Sequence, residues 1–258
     1  MKRKIFIPSK INLDELFKTN PPKFKYKQDI FAFILSYFFE KLIFKKIEKD
    51  TNYIFVSSKS LQHISNDYKQ YLDYLILNNV ITTDNNYLVG SKPKGYNVSS
   101  TLYSSFGEYY ITDTALCKKD AKKKISKFDK SSKLKYLSKW FNSNLKIDLQ
   151  MAKQANSYIY NLNKSNHTDK SAFLKYSHAE LSAEKIHDAS FYFHRDDTSF
   201  RLHSNLTTLN KYLRNHLTYN NKTIISVDVS NAQFFFSTVL LNIDFYRKDA
   251  EVLNLFII

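Results

Sequence analysis

Residues 53–98 read YIFVSSKSLQHISNDYKQYLDYLILNNVITTDNNYLVGSKPKGYNV. Tyr53-Ile54-Phe55-Val56 is β-branched and aromatic, which predicts a short strand. Ser57 to Ile64 predicts a short helix, and Asn66 an N-cap for a second one. Tyr68, Tyr71, Leu72, Leu75 and Ile76 recur at three- and four-residue steps, so that second helix has one apolar face. Asn78-Asn79 ends it. Val80-Ile81-Thr82, a turn at Asp84-Asn85-Asn86 and Tyr87-Leu88-Val89 predict strands. Gly90 and Gly95 then bracket a basic loop, Ser91-Lys92-Pro93-Lys94, before a further strand at Tyr96-Asn97-Val98. Glycines at those two positions are expected to supply positive φ at the loop ends.

Outward from this stretch, Asp29 to Glu48 predicts a helix that is apolar around most of its circumference, hence largely buried. Residues 1–27 are polar and basic, with Pro8, Pro21 and Pro22, and read as an extended basic arm. The order from Asp29 to Val98 is helix, strand, two helices, strand, Gly-bounded basic loop, strand. It resembles a winged helix-turn-helix domain, here assigned to residues 28–115. The resemblance implies a recognition helix exposing Asn66, Lys69, Gln70 and Asp73 to the major groove, and a wing that touches the DNA backbone or minor groove through Lys92 and Lys94. The opposing signal is that this helix holds one Lys beside two Asp, whereas base readers are usually more basic.

Residues 116–145 read as a lysine-rich helical connector. Ten Lys and two acids fall in residues 118–139, a net +8 within a chain whose net charge is +15. Ala121, Ile125 and Phe128 predict a weak amphipathic helix, and Leu134, Leu137, Phe141 and Leu145 a better one. A solvated linker face accounts for such a run. So does a phosphate-binding connector using Lys122, Lys123, Lys124 and Lys127, in which each neutralised phosphate steepens the salt dependence.

Residues 146–258 read as helical and then as a strand followed by a helix. Ala152, Ala155, Tyr158, Ile159 and Leu162 form a candidate helix face, with a polar loop at 161–170. Farther on, Asn220-Asn221 marks a turn and Ile225 and Val227 share a strand face. That places Asp228 at a strand end just before an apolar helix, where a carboxylate needs a partner or a metal. Residues 195–241 resemble the first palm motif of the family A nucleic-acid polymerases. Asp228 and Ser230 match its acidic strand end, Gln233 stands where that family has a Glu, and Arg201 with Asn205 and Leu206 echoes its upstream segment. The aromatic and Gln after the Asp are replaced by Val229 and Asn231, and no Gly precedes Arg201. The resemblance implies Asp228 as a Mg²⁺ ligand, with Gln233 and Arg201 as catalytic-site candidates. A Mg²⁺ site requires further carboxylates. Only 30 residues follow Asp228, so the palm-like part reads as truncated and inactive by itself. An N-cap role for Asp228, or a salt bridge to Arg201 or Arg214, is the structural alternative.

The remaining signals exclude more than they assign. One cysteine, Cys117, excludes a disulfide framework and a cysteine-cluster zinc site. Three glycines exclude the phosphate-cradling loops of P-loop NTPases, Rossmann enzymes and kinases. His187, Asp188, His194, His203 and the Asp196-Asp197 pair are close in sequence, but solvated or hydrogen-bonded histidines explain them better than a metal site. The apolar run near Ile30–Phe44 is shorter than the roughly 20 residues of a membrane span. No long apolar stretch follows the basic N-terminus, so a soluble cytoplasmic protein is expected. These readings combine into an α+β protein with a DNA-binding, replication-associated role in a mobile element or phage. A non-enzymatic winged-helix replication initiator or transcriptional regulator is the alternative, and an interaction scaffold with no nucleic-acid role a third class.

Overall fold

The computed structural model describes residues 2–44, 53–86, 93–102, 105–119, 134–164, 169–196, 198–199 and 201–225. Helix and sheet are mixed in an α+β arrangement. Residues through Thr223 make one compact unit and residues 224–258 a second. No helix among the described residues is long and apolar enough to cross a membrane.

The N-terminal segment is not an extended arm. Arg3–Pro8 forms β1, and Leu13–Thr19 forms α1. Strand β1 pairs antiparallel with β5, Phe106–Ile111, in the register Arg3↔Ile111 to Pro8↔Phe106. Ile5, Phe6 and Ile7 are buried in the core. Helix α1 begins at the cap Asn12, whose side chain accepts from Glu15 N at 3.2 Å.

Helix α2, Gln28–Phe44, is buried on most sides because β1, β5, β2 (Ile54–Phe55), β4 (Gly95–Val98) and α8 (Asp169–His187) all pack against it. Phe31, Ile34, Leu35, Phe38 and Phe39 have no exposed surface. Each such side chain stabilises the fold by about 1.5–3 kcal/mol relative to an exposed one. The first turn of α2 is anchored by Asp29. Its carboxylate accepts from Thr112 N at 2.8 Å, Asp113 N at 2.6 Å and Tyr109 Oη at 3.0 Å. Burial, and then the bond to Asp29, push the Tyr109 phenol up.

After α2 come β2 (Ile54–Phe55), α3 (Ser58–Gln62), α4 (Tyr68–Leu77), β3 (Ile81–Thr83) and β4 (Gly95–Val98). The three strands form one antiparallel sheet in the order β2-β4-β3, so the last strand returns between the first two. Ser57 caps α3, accepting from Ser60 N. Tyr68, Tyr71, Leu72, Tyr74 and Leu75 are the buried face of α4.

Residues 114–119 are helical (α5). The helix expected from Leu134 to Leu145 is broken. Only Lys135–Ser138 is helical (α6), and Leu145 belongs to β6, Leu145–Ile147. Helix α7, Leu149–Lys164, runs beyond the start of the expected polar loop, and α8 resumes at Asp169. The buried face of α7 differs from the expected one. Tyr158 and Leu162 are exposed, while Ala152 and Asn156 are buried. Asn156 tolerates burial because it donates to Tyr176 O at 3.0 Å and accepts from Tyr212 Oη at 2.8 Å.

The last described elements are β7 (Phe193–Arg195), β8 (Leu202–Ser204), α9 (Asn205–Thr208), α10 (Lys211–Arg214), β9 (Leu217–Tyr219) and β10 (Lys222–Thr223). The turn at Asn220-Asn221 joins β9 to β10, and both residues have positive φ, 50° and 60°. Asn tolerates that region better than other non-Gly residues. A second, smaller core joins Ile147, Ala152, Ala179, Ala183, Ile186, Leu209, Leu213 and Leu217. Helix α8 links the two cores, since its Phe173, Leu174 and Leu181 lie in the larger one.

Candidate nucleic-acid interface

The turn between α3 and α4 exposes several polar side chains. Lys59, Gln62 and His63 of α3 and its end are exposed, as are Asn66, Lys69, Gln70 and Asp73 around and on α4. Buried Leu61 and Ile64 hold the turn from beneath. Asn66 is not the N-cap. Asp67 precedes the first helical residue, and no side chain caps the helix there. Instead Ser65 shapes the turn, accepting from Asp67 N at 3.2 Å through its hydroxyl and from Tyr68 N at 3.3 Å through its carbonyl. Asn66 itself is exposed. Asn and Gln amides have the donor–acceptor pair that can read an adenine edge, and a Lys ammonium can donate to a phosphate or a guanine. Lys59, Gln62 and His63 escape a reading focused on one helix; their signal is the exposed spacing of Lys59 and His63, one turn apart.

Lys94 is exposed just before β4. Its carbonyl accepts from Val56 N at 3.3 Å, which ties the loop end to the β2 side of the sheet. Gly95 does not serve through positive φ; it lies in β4 and faces close neighbours. A Cβ there would meet Asp84 Oδ2 at 2.6 Å and Tyr53 Cβ at 3.0 Å. The glycine is required by packing, not by turn geometry. Tyr87-Leu88-Val89, Gly90 and Lys92 lie outside the described residues.

The lysine run begins next to this region. Lys119, in α5, reaches Ile64 O of the α3–α4 turn at 3.4 Å. Lys122, Lys123, Lys124 and Lys127 lie outside the described residues.

Of the three catalytic-site candidates of the polymerase-like segment, Arg201 lies among the described residues. Asp228 and Gln233 lie outside the described residues, as does Val227; before them β10 is followed by exposed Ile224 and Ile225. Arg201 is exposed, and its carbonyl accepts from Asp196 N at 3.0 Å. Arg214 donates through Nε to Leu209 O at 3.2 Å. Asn205, echoing the upstream polymerase segment, is buried and structural: it accepts from Tyr192 N at 2.8 Å and donates to Ser190 O at 3.2 Å.

Two of the histidines have ordinary partners. His194 and His203 face each other across β7 and β8 and stack at 5.3 Å between ring centroids. His203 Nε2 lies 3.1 Å from Asp196 Oδ2. Hydrogen bonds from the Ser199 hydroxyl and amide, with a smaller contribution from His203, hold the Asp196 carboxyl well below the usual carboxylate range. Asp188 pairs with Lys4 at 3.1 Å. Among the described residues, no group of three or more His, Cys, Asp or Glu could hold a metal ion.

No family model matches the chain, and neither a curated protein nor a solved structure is significantly similar to it.

Proposed function

We propose that residues 28–98 are a winged helix-turn-helix module that docks on duplex DNA, with α4 in the major groove and the β3–β4 loop against the backbone. One observation carries this reading. Helix α2, strand β2, helices α3 and α4, and strands β3 and β4 follow in that order, with sheet order β2-β4-β3. This arrangement mounts the exposed residues of α4 and the loop on one three-stranded base. The formal charge of +15 supports the same reading, since it supplies a sequence-independent attraction to phosphate. The role extends to replication of a mobile element or phage through the polymerase-like segment, in which Asp228 would ligate Mg²⁺ once further carboxylates complete the site.

The test is binding of the full chain to duplex DNA, followed by anisotropy at rising salt. The reading expects log affinity to fall steeply with log salt, by about 0.9 per phosphate neutralised. Absent or salt-insensitive binding contradicts it.

A further inference from the structure

Far along the chain from the α3–α4 turn, a group of aromatic side chains is left in solvent. Tyr136 is 66% exposed and Trp140 is 50% exposed. Trp140 packs edge-on against Tyr219 of β9, with ring centroids 5.3 Å apart. Tyr219 is held in turn by Asn142, whose Nδ2 donates to Tyr219 Oη at 3.0 Å and to Lys139 O at 2.8 Å. The rings therefore stand on a braced edge. Lysines line them. Lys139 Nζ lies 4.9 Å from the Trp140 ring centroid and 5.9 Å from that of Tyr136, and Lys135 Nζ lies 4.8 Å from Tyr136. Lys222 faces Tyr219 across the β9–β10 pairing. Residues 134–147 and 217–223 contain no acidic side chain.

We propose that α6 and the adjoining edge of the β6-β9-β10 sheet form a stacking site for single-stranded nucleic acid, built from residues other than those of the duplex-docking face. Large rings in solvent with cations beside them suit an unpaired base on the ring and its phosphates on the ammonium groups. A duplex is a poor fit, because its bases are already stacked on one another. A second copy of the chain would set like charges face to face, and an apolar partner would desolvate several lysines without pairing them. The proposal does not rest on the winged-helix reading.

Trp140 is the chain's only tryptophan, so its emission reports on this site alone. Adding an oligothymidylate of about 12 nucleotides to the full chain is expected to quench that emission, as bases stack on the ring. Heparin, a polyanion without bases, should not. Anisotropy of the labelled oligomer should show Trp140→Ala weakening binding at least about fivefold, with Trp140→Phe recovering most of the loss. Thermal melts of both variants should match the parent. Lys69→Ala with Lys94→Ala should leave the quenching intact, so failure here and failure of duplex docking are separable. Absent quenching, equal quenching by heparin, or unchanged oligomer affinity in Trp140→Ala overturns the proposal. So does an emission shift that follows protein concentration without nucleic acid, which would assign the patch to self-association.

Discussion

Asp84 and Gly95 clasp each other across the base of the β3–β4 loop. Asp84 N donates to Gly95 O at 3.1 Å, and Gly95 N donates to Asp84 Oδ1 at 2.9 Å. The same carboxylate oxygen accepts from Asn86 N at 3.1 Å. One short side chain thus fixes both ends of the loop.

Gly95→Ala is expected to destabilise the protein by about 1–3 kcal/mol, the usual cost of overpacking a tight site. Asp84→Ala removes the acceptor of two amides and should cost about 1–2 kcal/mol. The double variant should lose less than the sum, because removing the carboxylate makes room for the new methyl. Chemical denaturation of the three variants checks this; strict additivity would mean that the two residues act independently.

Glu184 supports a second prediction. It is 1% exposed on α8, yet Lys153 of α7 lies 2.6 Å from it and Lys4 of β1 2.9 Å. Burial alone would raise its carboxyl, but the hydrogen bonds from Lys153 and Lys4 outweigh that and hold it below the ordinary carboxylate value. A depressed folded pKa gives stability that is present above the unfolded value, near 4.3, and is lost as pH falls through the folded one. Glu184→Gln should therefore cost about 3 kcal/mol at neutral pH, the low end for breaking a buried pair because Lys153 keeps solvent access. It should also shrink the loss of stability on acidification below about pH 4. Melts from pH 7 down to pH 3 check both, and parallel pH curves for parent and variant would contradict the assignment.

The connector supports a third. Changing Lys122, Lys123, Lys124 and Lys127 to Gln is expected to weaken duplex binding and to flatten its salt dependence by about 0.9 for each phosphate that is no longer neutralised. Anisotropy at several salt concentrations measures the slope. An unchanged slope would mark the run as a solvated linker.

Local signals made the central stretch legible. Tyr68, Tyr71, Leu72 and Leu75 carry a helical period that tertiary packing keeps, Ser57 is a working cap, and Asn220-Asn221 is a turn. Strand β1 was hidden because its partner β5 lies about a hundred residues away, and nothing in Ile5-Phe6-Ile7 announces a non-local pairing. Helix α1 did carry a signal, Asn12 with Glu15 three residues later, but the nearby prolines obscured it. The face of α7 misled for a physical reason: a buried Asn with two good partners displaced Tyr158 and Leu162 from the core side. The leucine spacing from 134 to 145 looked helical, although Leu145 pairs with Tyr219 in a strand. Of the candidate interface, Lys69, Gln70 and Lys94 could be named from sequence. The capping role expected of Asn66 could not survive, because Ser65 organises the turn instead.

The most direct test of duplex docking changes only exposed side chains. Lys69→Ala, Gln70→Ala and Lys94→Ala together should leave the thermal melt unchanged, since none of the three is buried. Binding to duplex DNA, followed by anisotropy at about 0.1 M salt, should weaken tenfold or more as two phosphate or base donors and one base-reading amide are removed. Duplex affinity equal to that of the parent, with the fold intact, would contradict the placement of α4 and the β3–β4 loop on DNA.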